Sequence, residues 1–236
     1  MNKRFERTVN ILGQQGLEKL RNSKVLVVGV GGVGSYSCEA LARSGIGKLV
    51  LADFDVVEES NLNRQIEATV ETIGRLKGEV MAERVLSINP DLEVEVRKIY
   101  VTMDNAGELL DCNPDFVIDA IDSMDGKIAL WKQCQERGIP YVSSMGMARR
   151  TDPGQVMVTT LNKTEYDPMA RVLRQKARAN GLSLSFPVVC SKQTPSEAVR
   201  NEEGKVVLGS MIFVPAAAGL TCAWYCVETL LKGAQA

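Results

Sequence analysis

Short apolar runs alternate with helical patterns through the first 144 residues. The runs predict β-strands at Lys24–Val28, Lys48–Asp53, Leu92–Lys98, Phe116–Asp119 and Tyr141–Ser144. The segments between them predict helices at Gly32–Arg43, Thr72–Ser87, Ala106–Asp111 and Lys127–Arg137. Such alternation is typical of a parallel sheet with right-handed crossovers. The pattern therefore predicts an α/β fold, in which helices flank a mostly parallel sheet.

The alternation stops after residue 145. Apolar runs there predict antiparallel strands at Gln155–Leu161, Phe186–Cys190 and Val206–Val214. A helix is predicted at Met169–Ala179, because the proline just before it suits a first helical turn. The polar segment Ser191–Lys205 is predicted to be a mobile loop. We find no repeat and no linker, so we expect one domain over residues 1–236.

The segment Val206–Val227 contains no charged residue and is long enough to cross a bilayer. It also contains Pro215 and Gly219, which interrupt a continuous apolar helix. A final strand followed by a buried helix at Ala216–Leu231 explains the same pattern. We therefore expect no stable membrane insertion.

A glycine-rich loop, GVGGVG, follows the first predicted strand and opens the first helix. Its glycines are Gly29, Gly31, Gly32 and Gly34. Glycine allows a tight turn and a close approach to phosphate, and the helix N-terminus adds free N–H groups and a partial positive charge. Asp53 ends the second strand, where a carboxylate can accept hydrogen bonds from ribose. The loop predicts a Rossmann-like nucleotide site, which NAD and ATP would share.

The composition narrows the chemistry that such a site can perform. The 236 residues include no histidine, which excludes histidine acid–base catalysis and histidine metal ligands. Six scattered cysteines without a C-x-x-C pair argue against a structural zinc site. Free thiols and a polar N-terminal segment favour a cytoplasmic location. The net charge of −1 gives no whole-chain argument for a nucleic-acid partner.

Residues after the later strands distinguish ATP from NAD. The distinguishing residues are Asn61, Arg64, Lys77 and Asp122. Arginine and lysine neutralise a triphosphate, and aspartate holds Mg²⁺. Hydride transfer would instead need neutral space for a nicotinamide ring and a proton-transferring group. ATP with Mg²⁺ is therefore favoured, and an NAD-dependent oxidoreductase is the third hypothesis.

These motifs resemble the ubiquitin-activating-enzyme-like (ThiF, MoeB and HesA) superfamily of ATP-dependent adenylating enzymes. The similarity runs over residues 4–144 and is carried by the glycine loop, Asp53, Asn61–Gln65, Lys77 and Asp119–Asp122. The resemblance implies these nucleotide contacts: Asp53 with ribose, Asp55 nearby, Asn61, Arg64 and Lys77 with phosphates, and Asp122 with Mg²⁺. It also implies a homodimer and an arginine finger at Arg7, which acts in its own chain or in the partner.

The second half resembles the tRNA threonylcarbamoyladenosine dehydratase family within this superfamily. The similarity is carried by Arg4–Thr8, Asp119–Ser123, Ser143–Gly146, Asp152-Pro153 and Gly209-Ser210. It implies adenylation of the threonyl carboxylate of modified tRNA, then loss of AMP and ring closure. It also implies an ATP-binding half at residues 1–145 and a substrate-binding and dimerisation half at 146–236. The alternative is activation of a ubiquitin-like sulfur-carrier protein, and sulfur-transfer proteins are partners of some relatives.

A basic cluster in the second half predicts a polyanion partner. Residues 149–178 hold seven basic and three acidic side chains. The candidate tRNA contacts are Arg149, Arg150, Arg171, Arg174 and Arg178. The last three fall on one helical stripe, which indicates either a phosphate-binding surface or a solvated helix face. Aromatic residues make up only 5% of the chain, so extensive base stacking is not expected.

Cys190 is the first candidate for a reactive thiol, although a buried structural role is favoured.

Overall fold

The computed structural model describes residues 3–200, 204 and 206–232, and a seven-stranded sheet forms its centre. The strands are β1 (Lys24–Val28), β2 (Lys48–Ala52), β3 (Glu93–Arg97), β4 (Phe116–Asp119), β5 (Tyr141–Ser144), β6 (Val156–Thr160) and β7 (Pro187–Ser191). Their order across the sheet is β3-β2-β1-β4-β5-β7-β6. All neighbouring pairs are parallel except β6 with β7, which are antiparallel. The predicted mostly parallel α/β fold is confirmed.

Helices cover both faces of the sheet. They are α1 (Glu6–Arg21), α2 (Gly34–Ser44), α3 (Lys77–Ile88), α4 (Ala106–Leu110), α5 (Met124–Arg137), α6 (Pro168–Ala179) and α7 (Phe213–Lys232). Side chains of β1 alternate between the faces: Val25 and Val27 pack with α2, α3 and α7, whereas Leu26 and Val28 pack with α4, α5 and α6. Both faces of a parallel strand are buried in this way, which explains the unbroken apolar run of β1.

The first half follows the predicted elements closely, and β1, β4 and β5 have the predicted bounds. The main difference is the start of α3, which lies at Lys77 and not at Thr72. Residues Val70–Thr72 form a short 3-10 turn, and Gly74 follows with a φ of +86°. The segment then bonds back to the chain after β2, because Lys77 N donates to Asp55 O at 3.0 Å. These backbone bonds delay the helix and place Lys77 beside the loop that follows β2.

The C-terminal half corrects two predicted strands. The predicted strand Val206–Val214 is reduced to Val206–Val207 (β9), which pairs with Val199–Arg200 (β8) in a separate two-stranded sheet. The following apolar residues belong to α7, which starts at Phe213. The strand predicted at Phe186–Cys190 is parallel to β5 inside the sheet, so β6 is the added antiparallel edge strand. The predicted loop at 191–205 contains β8, and residues 201–203 and 205 lie outside the described residues.

Helix α7 packs closely on α2. The hydroxyl of Ser37 donates to the carbonyl of Gly219 at 2.9 Å, and a Cβ at Gly219 would lie 2.3 Å from the Val33 carbonyl oxygen. Among the described helices, α7 has the length and apolarity needed to cross a membrane. Of its most apolar 18-residue stretch, 44% is buried inside the fold. Its outer face leaves Leu220 and Trp224 exposed.

Candidate active site

A cavity of about 580 Å³ lies over the carboxyl ends of the central strands. The sheet order reverses between β1 and β4, and the loops after these strands diverge there and leave a crevice. Gly29 N donates to Ala52 O at 2.8 Å, and Ala120 N donates to Val28 O at 2.8 Å. Three adjacent strand ends therefore form the floor of the cavity. The predicted site residues that line it are Gly29, Gly31, Gly32, Asp53, Asp55, Arg64, Lys77, Asp122, Arg149 and Arg150.

The glycine loop turns too tightly for side chains at two positions. Gly29 has a φ of +86°, and a Cβ there would lie 2.8 Å from the backbone of Ala120. A Cβ at Gly34 would lie 1.8 Å from the Gly29 carbonyl oxygen. Gly34 begins α2, so the closed turn directs the chain from β1 straight into the helix. Gly31 and Gly32 line the cavity above this turn.

Asp53 fixes the shape of the glycine loop from the neighbouring strand. Its Oδ2 accepts from the Val30 backbone N–H at 2.6 Å, and its Oδ1 accepts from Asp55 N–H at 2.8 Å. Burial raises the pKa of Asp53, while these two backbone donors and the nearby Lys77 oppose the rise. Each carboxylate oxygen has a further lone pair, so the group can also accept from a ligand at the cavity edge.

Lys77 is a buried cation at the start of α3. Its Nζ donates to Asp55 Oδ2 at 3.0 Å, and only 8% of its side chain is exposed, whereas 46% of the Asp55 side chain is exposed. A buried ammonium with one carboxylate partner has two further protons to donate. Both side chains line the cavity, so an anion entering it would meet Lys77 directly.

Glu67 is a buried acid that the sequence reasoning missed. The residue is 2% exposed, and neither carboxylate oxygen has a hydrogen-bond partner among the described residues. Burial raises its pKa to about 7, while the nearby Ser35 hydroxyl and Lys77 act in the opposite direction. The signal in the sequence is weak, because a single glutamate between Ile66 and Ala68 is also typical of a surface turn.

Arg64 and Asn61 have different positions although both follow β2. Arg64 lines the cavity, and its Nη1 donates to the carbonyl of Ser60 at 2.8 Å and to Asn63 Oδ1 at 2.9 Å. Asn61 is 5% exposed and does not line the cavity. Its Oδ1 accepts from the Glu58 backbone N–H at 3.1 Å, which closes the 3-10 turn that precedes Arg64. The structure therefore places Asn61 as a support of the loop.

Two aspartates at and just after the end of β4 have contrasting environments. Asp122 is exposed and lines the cavity. Asp119 is fully buried and accepts from Lys127 Nζ at 3.0 Å, Trp131 Nε1 at 2.7 Å and Ser143 Oγ at 2.6 Å. This network joins β4, α5 and β5 beneath the cavity. Sequence reasoning placed Lys127 at the start of a helix and missed its partner.

The five candidate tRNA contacts do not form one surface. Arg150 is 3% exposed, and its guanidinium donates to the carbonyls of Gly146, Tyr166 and Gln193. It also lies 3.8 Å from the buried carboxylate of Asp167. The prediction that Arg150 contacts nucleic acid is therefore not supported by its position, because the side chain is already used to hold three loops together.

The other four arginines are more accessible. Arg149 lines the cavity, has a φ of +62°, and donates to the Ser196 carbonyl at 2.8 Å. Arg171 and Arg178 are exposed on α6, whereas Arg174 is half-buried and donates to Thr164. The predicted helical stripe is thus present, but Arg174 at its centre already makes a hydrogen bond within the protein.

Arg7 and Cys190 do not line the cavity. Arg7 is exposed on α1. Cys190 is buried on β7, and burial raises the pKa of its thiol to about 11. A thiol with that pKa is almost entirely protonated at neutral pH, so Cys190 is a poor nucleophile in this environment.

Comparison with known proteins identifies close relatives over nearly the whole chain. The model of the ThiF family matches residues 5–233. The tRNA threonylcarbamoyladenosine dehydratase of Bacillus subtilis is 42% identical over 240 residues, which cover 97% of this chain and 94% of that protein. The Escherichia coli protein of the same name is 43% identical over 177 residues, which cover 75% of this chain and 66% of that protein.

Solved structures agree with these matches. The Escherichia coli tRNA N6-threonylcarbamoyladenosine dehydratase in complex with ATP superposes with a TM-score of 0.91 at 36% identity. The same enzyme in complex with AMP gives a TM-score of 0.92 at 35% identity. Each comparison covers 98% of this chain and 95% of the other. This chain thus shares its fold, over nearly its whole length, with an enzyme that was crystallised with ATP and with AMP.

Proposed function

The chain belongs to the ThiF family, and on that premise we propose that it is an ATP-dependent tRNA threonylcarbamoyladenosine dehydratase. The reaction converts N6-threonylcarbamoyladenosine in tRNA to its cyclic form through adenylation of the threonyl carboxylate. The observation that carries the proposal is the cavity at the sheet crevice, combined with near full-length similarity to an enzyme crystallised with ATP. The absence of histidine is compatible with this chemistry, because adenylation depends mainly on positioning and charge neutralisation.

The residues around the cavity support a specific arrangement of ATP. The glycine loop and the start of α2 are suited to phosphate, and Asp53 at the neighbouring strand end is suited to ribose hydroxyls. Lys77 and Arg64 are the cations on the cavity wall that would neutralise the phosphates. We assign no direct phosphate contact to Asn61, since its side chain caps the loop that carries Arg64.

Mg²⁺ fits the carboxylate set of the cavity. Asp122 presents an exposed carboxylate on its wall, and no cluster of three or more metal-binding side chains occurs among the described residues. Mg²⁺ at nucleotide sites commonly binds one or two protein carboxylates together with phosphate oxygens. Asp122 would hold the ion, which would supply charge neutralisation for the leaving pyrophosphate.

The reaction has two balanced steps. A threonyl carboxylate oxygen attacks the α-phosphorus of ATP, the bond to the β-phosphate breaks, and pyrophosphate leaves. An atom of the carbamoyl group then attacks the acyl carbon, AMP leaves with one carboxylate oxygen, and a proton is released to solvent. The net change in the nucleoside is loss of one water. Lys77 and Arg64 stabilise the negative charge that develops during the first step.

The assembly and the partners complete the proposal. We assign Arg171 and Arg178 to tRNA phosphates because they are exposed, together with Arg149, which is half-buried and lines the cavity. Arg7 lies outside the cavity lining of its own chain, which supports action in the partner of a homodimer. We further propose a cytoplasmic enzyme whose residues 1–145 bind ATP, while residues 146–236 bind substrate and dimerise. A sulfur-transfer role is weaker, because Cys190 is buried.

Nucleoside mass spectrometry tests the proposal. Purified protein with ATP and Mg²⁺ should remove one water from threonylcarbamoyladenosine in tRNA and release AMP and pyrophosphate. Asp122→Ala or Arg64→Ala should abolish turnover while the thermal unfolding midpoint stays near wild type. ATP–pyrophosphate exchange driven by a protein ending in two glycines, with no effect on tRNA, would instead support the sulfur-carrier alternative. Tight NADH binding without ATP binding would support an oxidoreductase.

A further inference from the structure

A second groove lies beside the nucleotide cavity and contains the exposed Arg171. Its volume is about 640 Å³. The residues that line it are Tyr166, Asp167, Pro168, Arg171, Val172, Arg174, Gln175 and Pro195. Three of them, Asp167, Pro168 and Val172, also line the nucleotide cavity. The cavity and the groove therefore adjoin each other at these three residues.

The rim of this groove carries an exposed aromatic ring on a fixed backbone. Tyr166 is 60% exposed and has a left-handed φ of +53°. Its carbonyl accepts from Arg150 Nη2 at 2.8 Å, and Arg150 is itself buried. The next residue, Asp167, accepts from the N–H groups of Gly146 and Ala170 at 3.0 and 2.9 Å. The buried arginine and aspartate thus hold the backbone on which the tyrosine ring is displayed to solvent.

The groove also contains a cation that no internal contact uses. Arg171 is exposed, and its guanidinium has no hydrogen-bond or ion-pair partner among the described residues. By contrast, Arg174 donates to Thr164, and Lys176 pairs with Asp125 at 2.6 Å. Arg171 is therefore the side chain of this helix face that is available to a ligand beside Tyr166.

An aromatic face next to an uncommitted guanidinium suits an unpaired RNA nucleotide. Bases that are splayed out of a loop stack on aromatic side chains, and cationic side chains bind the adjoining phosphates. Resting on the proposed tRNA substrate, we propose that this groove binds the nucleotide next to the modified adenosine, with its base on Tyr166 and its phosphate on Arg171. The modified adenosine itself would occupy the cavity, which the groove adjoins.

Stacking on one base contributes about 1–3 kcal/mol, which corresponds to a five- to 150-fold change in affinity. Tyr166→Ala should therefore raise the KM for tRNA by about tenfold, leave kcat within about twofold, and leave the Kd for ATP unchanged. Tyr166→Phe should behave as wild type, because the ring is kept. Val70→Ala is the control, since Val70 is also an exposed apolar residue but lines neither the cavity nor the groove.

A binding measurement separates this proposal from the proposed reaction. An RNA hairpin carrying 2-aminopurine beside the target adenosine should lose fluorescence on binding wild type, Tyr166→Phe and Val70→Ala, but not Tyr166→Ala. Arg171→Ala should weaken binding of the hairpin and lower its salt dependence. Equal quenching by wild type and Tyr166→Ala would overturn the groove assignment, whatever the turnover. Quenching that depends on Tyr166, in a protein that dehydrates no tRNA, would support the groove and refute the reaction.

Discussion

At the scale of single residues, buried charges determine the character of the site. Lys77, Glu67 and the Asp119–Lys127 pair are all buried near the carboxyl ends of the strands. A buried charge is costly unless it is paired or changes its protonation state. Lys77 and Lys127 are paired with carboxylates, whereas Glu67 is not, and burial raises its pKa to about 7. The two lysines thus keep their charge beside carboxylates, whereas the raised pKa reduces the charge of Glu67.

Glu67 makes the stability of the ligand-free protein depend on pH. Its folded pKa of about 7 lies above the unfolded value of 4.5, so the folded state binds more protons between these values. The free energy of unfolding should therefore fall as pH rises from about 4.5 to 7, with the full cost present above pH 7. Glu67→Gln should remove this dependence and raise the free energy of unfolding at pH 8 by about 2–3 kcal/mol.

Urea unfolding at pH 5 and pH 8 checks this expectation. Glu71→Gln is the matched control, because Glu71 is exposed in the adjacent turn. The same decrease in the free energy of unfolding in Glu67→Gln and wild type would contradict the assignment. The measurement is made without nucleotide, since bound phosphates would add their own proton linkage.

The buried pair beneath the cavity gives a second prediction. Lys127→Met should destabilise the fold by about 3–5 kcal/mol, because Asp119 would remain buried without its cation. Lys176→Met is the control, and its loss should be below about 1 kcal/mol because the pair with Asp125 is exposed. Chemical denaturation measures both changes. Similar small losses in the free energy of unfolding of the two variants would show that the buried pair stabilises the fold no more than the exposed pair does.

At the scale of elements, one loop and one helix face create the site. The glycine loop joins β1 to α2 with no room for a side chain at Gly34, and the segments after β2 and β4, the strands on either side of β1, supply Asp53 and Asp122. Helix α6 is fixed to the end of β5 through Asp167, which accepts from the backbone of Gly146. Asp167 also lines both the nucleotide cavity and the groove, so the two adjoin at this junction.

Gly34→Ala tests the closeness of this turn. The added Cβ would lie 1.8 Å from the Gly29 carbonyl oxygen, so the loop must open and shift Gly31 and Gly32, which line the cavity. The Kd for ATP should rise by about tenfold or more, which corresponds to at least about 1.4 kcal/mol of binding free energy. Gly209→Ala is the control, because no other atom lies within 4 Å of the place that a Cβ there would occupy. Isothermal titration calorimetry measures both; unchanged binding in Gly34→Ala would refute the role of the turn.

At the scale of the whole molecule, one chain holds the cavity but leaves Arg7 exposed on α1, outside the cavity lining. The outer face of α7 also leaves Leu220 and Trp224 exposed. Both observations agree with the proposed homodimer, in which a finger from one copy completes the site of the other. A twofold dimer would supply two equivalent sites.

Mixing two inactive variants tests this arrangement. Arg7→Ala and Asp122→Ala should each be inactive alone. After mild dissociation and mixing in equal amounts, about a quarter of wild-type activity should return, because half of the random dimers then contain one intact site. Turnover of modified tRNA measures the recovery. No recovery from dimers shown to have exchanged subunits would place Arg7 in its own chain or outside the reaction.

The amino-acid sequence alone was enough to predict the strands β1, β4 and β5, the glycine loop, and a place for Arg64 and Lys77 at the cavity, because each feature follows from its own short stretch of chain beside a strand. How individual side chains are used depends on the folded chain. Arg150 contacts carbonyls up to 43 residues away, so its burial cannot be read from the basic cluster around it. Glu67 is an acid with a raised pKa for the same reason, because its burial comes from the folded chain. Burial and partners come from distant segments, and they set the charge and availability of each group.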